Sequence, residues 1–300
     1  MRAPAVSEKA TPSRAADFLS LTKPRITVFV VMTAFVGFAA GVKGPLLSLD
    51  PVLLLHTLLG TALVASGTSA FNQIWEIDLD RRMVRTASRP LPAGRLAFGE
   101  CFAFATLLSV VGVAELFVFA NTITAVLAAT TLLSYVFAYT PLKTRSPLST
   151  LVGGLPGALP PLGGFTAAHG EIAPIGLVLF ALLFLWQLPH FLAIGWRHRA
   201  DYEAAGVKII PTLDPTGART SGHALVYTLA LLPVGLLPVY FGNAGLVYGA
   251  GTLLATGFFV AASVRFFRST NDQTALSLFL TSLGWLPAVL LLFVLDRISI

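Results

Sequence analysis

Asn72, Glu76 and Asp80 are spaced by four in the stretch FNQIWEIDLDRR. On a helix of 3.6 residues per turn they stack along one face, about 6 Å apart per step, while Asp78 points nearly the opposite way. Two carboxylates and an amide oxygen in a row are hard donors that suit Mg²⁺. Such an ion keeps several waters and shares phosphate oxygens rather than sitting in an all-protein cage. Arg81, Arg82, Arg85 and Arg89 follow at once, and guanidinium forks match phosphate oxygens bidentately. The chemistry implied is the handling of a phosphorylated substrate on a divalent cation. The competing reading is a solvated helix end whose arginines serve only as charge anchors. Against it, ionisable groups at a membrane edge are costly, and these share a face with an asparagine inside an apolar run.

Two further clusters lie downstream. In SYVFAYTPLKTR, Lys143 and Arg145 offer phosphate contacts and Tyr139 stands at the interface; an aromatic belt with anchoring charges is the plain alternative. In FLWQLPHFLAIGWRHRADYEAAG, His190 falls within an apolar segment, where an ionisable side chain is a functional candidate. About 9 Å separates it from the end of its helix at Trp196, a depth at which it would ligate a metal or act as a base, or else be hydrogen-bonded to a neighbouring helix. Asp201 and Glu203 occupy the loop beyond, so Asp201 is a candidate for a second metal or phosphate site. No Ser-His-Asp arrangement, zinc spacing or Walker motif is visible. The single cysteine, Cys101, leaves no internal disulfide or cysteine-built cluster.

The elements that must carry these residues follow from composition. Only 11% of the 300 residues are charged and 55% are apolar, against about 25% charged in a soluble domain. A soluble surface cannot be covered so sparsely, so much of this one faces lipid. Nine stretches are long and apolar enough to span a bilayer as helices, at roughly 20 residues each: 26–42, 51–75, 102–120, 122–140, 148–168, 172–196, 223–241, 245–267 and 274–295. The fifth, rich in Gly and Pro, is expected to be a short kinked helix inside the bundle. Nine crossings place 18 of the 20 Lys and Arg residues on one side, which marks that side as cytoplasmic. The N-terminus is then cytoplasmic and the C-terminus outside, in a plasma (inner) membrane. Residues 1–20 are polar and read as a flexible cytoplasmic tail rather than a removable signal; residues 21–300 form a single transmembrane domain. The two long loops, 76–101 and 197–222, lie four spans apart. This suggests two four-helix halves plus one helix, with a site between the halves near the cytoplasmic face. The net charge of +6 is explained by this topology, and nucleic acid finds no docking surface.

The three clusters together resemble the UbiA superfamily of intramembrane prenyltransferases, and within it the branch of protoheme IX farnesyltransferases, or heme O synthases. The resemblance runs from LTKPR at 21–25 through the ninth span. It is carried by N-x-x-x-[DE]-x-x-x-D at 72–80, R-x-x-x-R-P-L at 85–91, YTPLK at 139–143, PPLGG at 160–164, WQLPHF at 186–191 and DYEAAG at 201–206. The last two together mark the heme branch. Glu76 stands where the superfamily usually has aspartate, and the second cluster offers Asp201 in place of a DxxxD. The resemblance implies farnesyl transfer from farnesyl diphosphate to a vinyl group of heme b, with addition of water, giving heme O and pyrophosphate. It implies Mg²⁺ on Asn72, Glu76, Asp80 and Asp201. Arg81, Arg85, Arg89, Lys143 and Tyr139 would bind diphosphate, and His190 would be an iron ligand or a base. It also implies a heme-handling membrane partner such as heme A synthase. The alternative acceptor is a quinone precursor or other aromatic. An ion transporter would need charges near the bilayer centre, and here they gather at one face.

Overall fold

The computed structural model describes residues 12–298. Of the tail expected over 1–20, residues 1–11 lie outside the described residues. Residues Arg14–Leu21 form a helix, α1, instead of a loose segment. Its start is capped by the Ser13 side chain. Asp17 is buried and bonded to the Arg95 guanidinium at 2.9 Å, and Leu21 is fully buried. A cap, a paired charge and an apolar anchor are enough to hold a two-turn helix that propensity alone would not.

The bundle then follows in chain order. The long helices are α2 (Pro24–Gly41), α3 (Pro51–Trp75) with a short continuation α4 (Ile77–Arg82), and α5 (Phe98–Phe119). Next come α6 (Thr122–Leu133), a π-helical turn over Ser134–Tyr139 and one closing turn, α7 (Thr140–Leu142). The chain continues with α8 (Ser149–His169), α9 (Pro174–Arg197), short α10 (Arg199–Ala204), α11 (Ala218–Tyr240), α12 (Leu246–Arg268) and α13 (Asp272–Leu295). Prolines at the first helical positions of α2, α3 and α9 start those helices where a backbone donor has no partner to lose. Among the described residues, eight helices are long and apolar enough to cross a membrane. Side chains such as Leu107, Val110, Phe117 and Val118 of α5 stand exposed, as a lipid-facing surface requires.

The fifth expected span is α8, a 21-residue helix containing Pro156, Pro160 and Pro161. It needs less apolar surface because it is sunk among its neighbours: Ala158, Leu162, Gly164 and Phe165 are all buried. Its closest approach is to α2, where a Cβ built on Gly164 would sit 1.9 Å from the Ala34 carbonyl oxygen. Only hydrogen fits there, and the glycine is what lets two backbones touch. Helices α2, α3, α5, α6 and α8 pack on one another, as do α9, α11, α12 and α13; α8 lies against α9 and joins the two groups.

Candidate functional site

One end of the bundle gathers the start of α2, the junction of α3 and α4, the π-helical turn and α7, the start of α8 and the end of α9 around a cavity of about 240 Å³. Asn72, Glu76, Asp80, Arg85, Arg89, Tyr139 and Lys143 all line it. The helix bends at Glu76 (φ −97°, ψ 13°). The bond from Glu76 N–H to Asn72 O (3.0 Å) and that from Asp80 N–H to Glu76 O (2.7 Å) nevertheless carry the i, i+4 pattern across the bend. The three oxygen-bearing side chains therefore stay on one face. Asp78 turns outward, bonded to Arg81 at 3.2 Å, both exposed. Arg81 thus stands outside the cavity wall, on the helix end that precedes the turns carrying Arg85 and Arg89.

Each acidic or amide group inside meets a cation. Asp80 is fully buried and accepts two bonds from Arg89 Nη1, at 2.9 and 2.7 Å. Glu76 is 6% exposed and accepts from Lys143 Nζ at 2.5 Å. Asn72 Oδ1 accepts from Lys23 Nζ at 2.7 Å, and its amide donates toward Thr140 Oγ1 at 3.4 Å. Burial pushes the Glu76 carboxyl up, but the Lys143 and Lys23 ammonium groups outweigh it and hold Glu76 below the usual carboxylate range. Burial also acts against the Lys143 charge; Tyr139 and Glu76 beside it outweigh that and hold it well above the ordinary lysine value. Lys143 lies 4.4 Å over the Tyr139 ring.

Lys23 is the residue that sequence reasoning missed, having been counted only as a topology charge. It is the one described non-glycine residue with positive φ (47°), a strained conformation for a residue preceding proline. Burial, then Arg89 nearby, lower its ammonium to about 7. A basic residue directly before the Pro that opens a span was the available signal. Tyr135 was missed as well. The wide π-helical turn swings both Tyr135 and Tyr139 into the wall, with ring centroids 4.8 Å apart and nearly perpendicular. The carbonyl of Tyr135 accepts both the Thr140 backbone N–H, which closes the wide turn, and the Thr140 hydroxyl at 2.8 Å. Gly153 of α8 makes room for this ring, since a Cβ there would meet Tyr139 at 2.5 Å. Met83, Phe191, Leu192, Ile194, Tyr202 and Val207 supply an apolar wall opposite the charges.

Besides Arg81, two expected site residues stand apart. Asp201 Oδ1 accepts from the Val84 backbone N–H at 3.3 Å and does not line the cavity. It ties α10 to the segment that carries Arg85. His190 is buried on the side of α9 that faces α13, next to the cavity residue Phe191. Its Nδ1 lies 2.8 Å from Ser282 Oγ. The Ser282 hydroxyl also lies 2.6 Å from Phe279 O. The ring packs at about 5.0 Å from both Trp186 and Phe279.

The oxygen set fits a divalent cation by its chemistry. Two buried carboxylates and an amide oxygen share one helix face, in a cavity that also holds four cationic side chains, Lys23, Arg85, Arg89 and Lys143, suited to a phosphate. The sequence profile of the UbiA prenyltransferase family matches residues 30–293. A protoheme IX farnesyltransferase of Solibacter usitatus is 42% identical over 287 residues, covering 94% of this chain and 98% of the relative. Proteins of the same name from Myxococcus xanthus and Opitutus terrae are 40% and 39% identical, with at least 96% of each chain covered. Among solved structures, a digeranylgeranylglyceryl phosphate synthase superposes with a TM-score of 0.80 at 18% identity, over 94% of this chain and 98% of its own. A UbiA homolog from Archaeoglobus fulgidus bound to GPP and Mg²⁺ has a TM-score of 0.64 at 15% identity, over 92% and 99%. With the family profile matching residues 30–293 and relatives this similar over nearly the whole length, the chain belongs to the UbiA prenyltransferase family.

Proposed function

We propose that this protein is a membrane prenyltransferase that moves a farnesyl group from farnesyl diphosphate to a vinyl group of heme b. Water is added in the same reaction, and heme O and pyrophosphate are the products. The observation that carries the reading is the cavity in which Asn72, Glu76 and Asp80 on one helix face are surrounded by Lys23, Arg85, Arg89 and Lys143, in a chain whose full-length relatives are named protoheme IX farnesyltransferase.

In this reading the four cationic side chains grip the diphosphate and hold its leaving oxygens. When bound, Mg²⁺ supplies neutralisation of the charge that builds on pyrophosphate, held by Asn72, Glu76 and Asp80. Cleavage of the allylic C–O bond leaves positive charge on the farnesyl carbon. The faces of Tyr135 and Tyr139 stabilise it, and the apolar wall from Met83 to Ile194 keeps bulk water away from it. The vinyl carbon of the porphyrin forms the new C–C bond, and water then satisfies the cation left on the neighbouring vinyl carbon, releasing a proton. His190 serves as iron ligand or as the base for that water. Arg81, bonded to the outward-facing Asp78, takes no part in gripping the diphosphate, and Asp201 positions the Arg85 segment. The bundle crosses a plasma membrane nine times, α8 included, as one domain over 21–300. The cavity lies at the cytoplasmic face and the C-terminus outside, and a heme-handling membrane protein such as heme A synthase receives the product. Membranes carrying the protein, incubated with heme b, farnesyl diphosphate and Mg²⁺, should yield a heme heavier by one farnesyl group and one hydroxyl on mass analysis. Absence of that species, with prenylation of an aromatic acid instead, would reassign the acceptor.

A further inference from the structure

The three groups suited to a divalent cation are already held by cations of the chain itself. Lys23 bonds Asn72, Lys143 bonds Glu76 and Arg89 grips Asp80. The caps come from three separate places: the residue before α2, the residue after α7, and the segment beyond α4. All six side chains line one cavity. Asp80 and Glu76 are buried, so a metal ion arriving alone must break a buried ion pair and strand a lysine or arginine without a counter-charge, which is strongly unfavourable. A diphosphate alters that balance, because its oxygens accept from the same donors. Both lysines sit on flexible four-carbon stems able to turn from carboxylate to phosphate, with open cavity beside them.

We infer that Lys23, Lys143 and Arg89 are exchangeable caps. In the free protein they block the cation-binding oxygens, and a prenyl diphosphate draws them off, so that cation and diphosphate enter together and neither is held well alone. The inference rests on the reading of this cavity as a diphosphate site. It reverses the usual expectation for a lysine beside a binding site, since removing the cap should tighten metal binding in the ligand-free protein.

The test uses the purified full-length chain in detergent with Mn²⁺ as probe, free and bound ion being counted by electron paramagnetic resonance. Lys143→Met removes the cap on Glu76. A charge-assisted bond of this kind corresponds to roughly ten- to a hundredfold in an equilibrium constant, so ligand-free K143M should bind Mn²⁺ at least about tenfold more tightly than the wild type. The same variant should lose affinity for a non-hydrolysable farnesyl diphosphate analogue. Lys23→Met, whose cap sits on a neutral amide, should show the same signs with smaller size and serves if K143M does not fold. Arg85→Met is the control: Arg85 lines the cavity but bonds none of the three oxygens among the described residues. It should weaken the analogue and leave Mn²⁺ affinity within about threefold of wild type, being a loss of distant charge only. If R85M tightens Mn²⁺ as much as K143M does, general repulsion and not capping is at work and the inference falls. It also falls if folded K143M and K23M bind Mn²⁺ no better than wild type. A wild type that binds Mn²⁺ neither alone nor with the analogue would overturn the diphosphate reading itself, a pattern distinct from the other two.

Discussion

Replacing Asp80 separates a catalytic carboxylate from a helix-end anchor. The side chain is fully buried and receives two bonds from one guanidinium nitrogen, while Arg89 remains 24% exposed. Breaking a buried pair by deleting one member costs about 3–5 kcal/mol. Arg89 opens onto the cavity and recovers part of its solvation, so Asp80→Ala belongs at the lower end, about 3 kcal/mol of stability. Asp80→Asn keeps the shape and an acceptor for Arg89 and should lose less, about 1–2 kcal/mol. Activity should separate from stability. Both substitutions remove the negative charge facing a cation that neutralises pyrophosphate, and loss of one well-placed electrostatic partner is typically worth 10²–10³ in rate. Both variants should therefore fall at least about a hundredfold in heme farnesylation although D80N melts close to wild type. The assay is the mass-detected farnesyl heme product in isolated membranes, normalised to folded protein by a thermal-melt signal in detergent. If D80N, folded and normally expressed, keeps more than a third of wild-type turnover, Asp80 is a structural anchor and the placement of the metal fails.

Glu76→Asp shortens the carboxylate by one methylene while keeping its charge near Lys143, and should retain turnover within about tenfold, the scale of one altered hydrogen bond. Lys23, lowered to about 7, is partly neutral at pH 8; a bound diphosphate favours its charged form, so farnesyl diphosphate binding at pH 8 should take up a proton, measured as a buffer-dependent binding enthalpy and lost in Lys23→Met. The same depressed value makes the unfolded chain bind more protons between about pH 7 and 10.5, so Lys23 should make stability rise with pH across that window, and a K23M melt should lack that slope. Gly164→Ala drives a Cβ into the Ala34 carbonyl at 1.9 Å, which overpacks the α2–α8 contact by about 1–3 kcal/mol or more; a melting temperature equal to wild type would contradict that contact. His190→Ala should lose heme farnesylation and change the absorption spectrum of added heme while keeping farnesyl diphosphate affinity; unaltered turnover and spectrum would make it a packing residue.

The face carrying Asn72, Glu76 and Asp80 was legible because period and composition agree: four-residue spacing survives the bend at Glu76, since the backbone bonds continue through it. The outward turn of Asp78 follows from the same period. Spacing could not separate Arg81 from Arg85, because the chain leaves helical geometry after Arg82 and the arginines beyond it are aimed by loop conformation. The place of Asp201 was hidden for a related reason. Its partner is a backbone N–H more than a hundred residues away, and no pattern in either segment encodes that pairing. Lys23 and Tyr135 depend on a left-handed residue before proline and on a π-helical turn, both of them departures from the regular period on which sequence reading rests. Departures of this kind gather where strain is tolerated for a functional purpose.

The charge balance of the cavity explains why these irregular residues matter together. Lys23, Arg85, Arg89 and Lys143 face only Glu76 and Asp80 among the carboxylates of the wall. The protein's own groups here thus sum to two formal positive charges in excess, less whatever Lys23 sheds near neutral pH. A surplus so close to lipid is costly unless an anion comes to meet it. A diphosphate brings more negative charge than that surplus neutralises, and a divalent cation on the freed oxygens supplies the remainder. Without Lys23 and its strained backbone the surplus would shrink by half. Glu76 would still be paired with Lys143 and Asp80 with Arg89, so only the Asn72 amide would be uncovered while the pull on an anion weakens. The left-handed turn ahead of Pro24 therefore does more than start a helix: it sets one of the cavity's four cationic side chains beside Asn72.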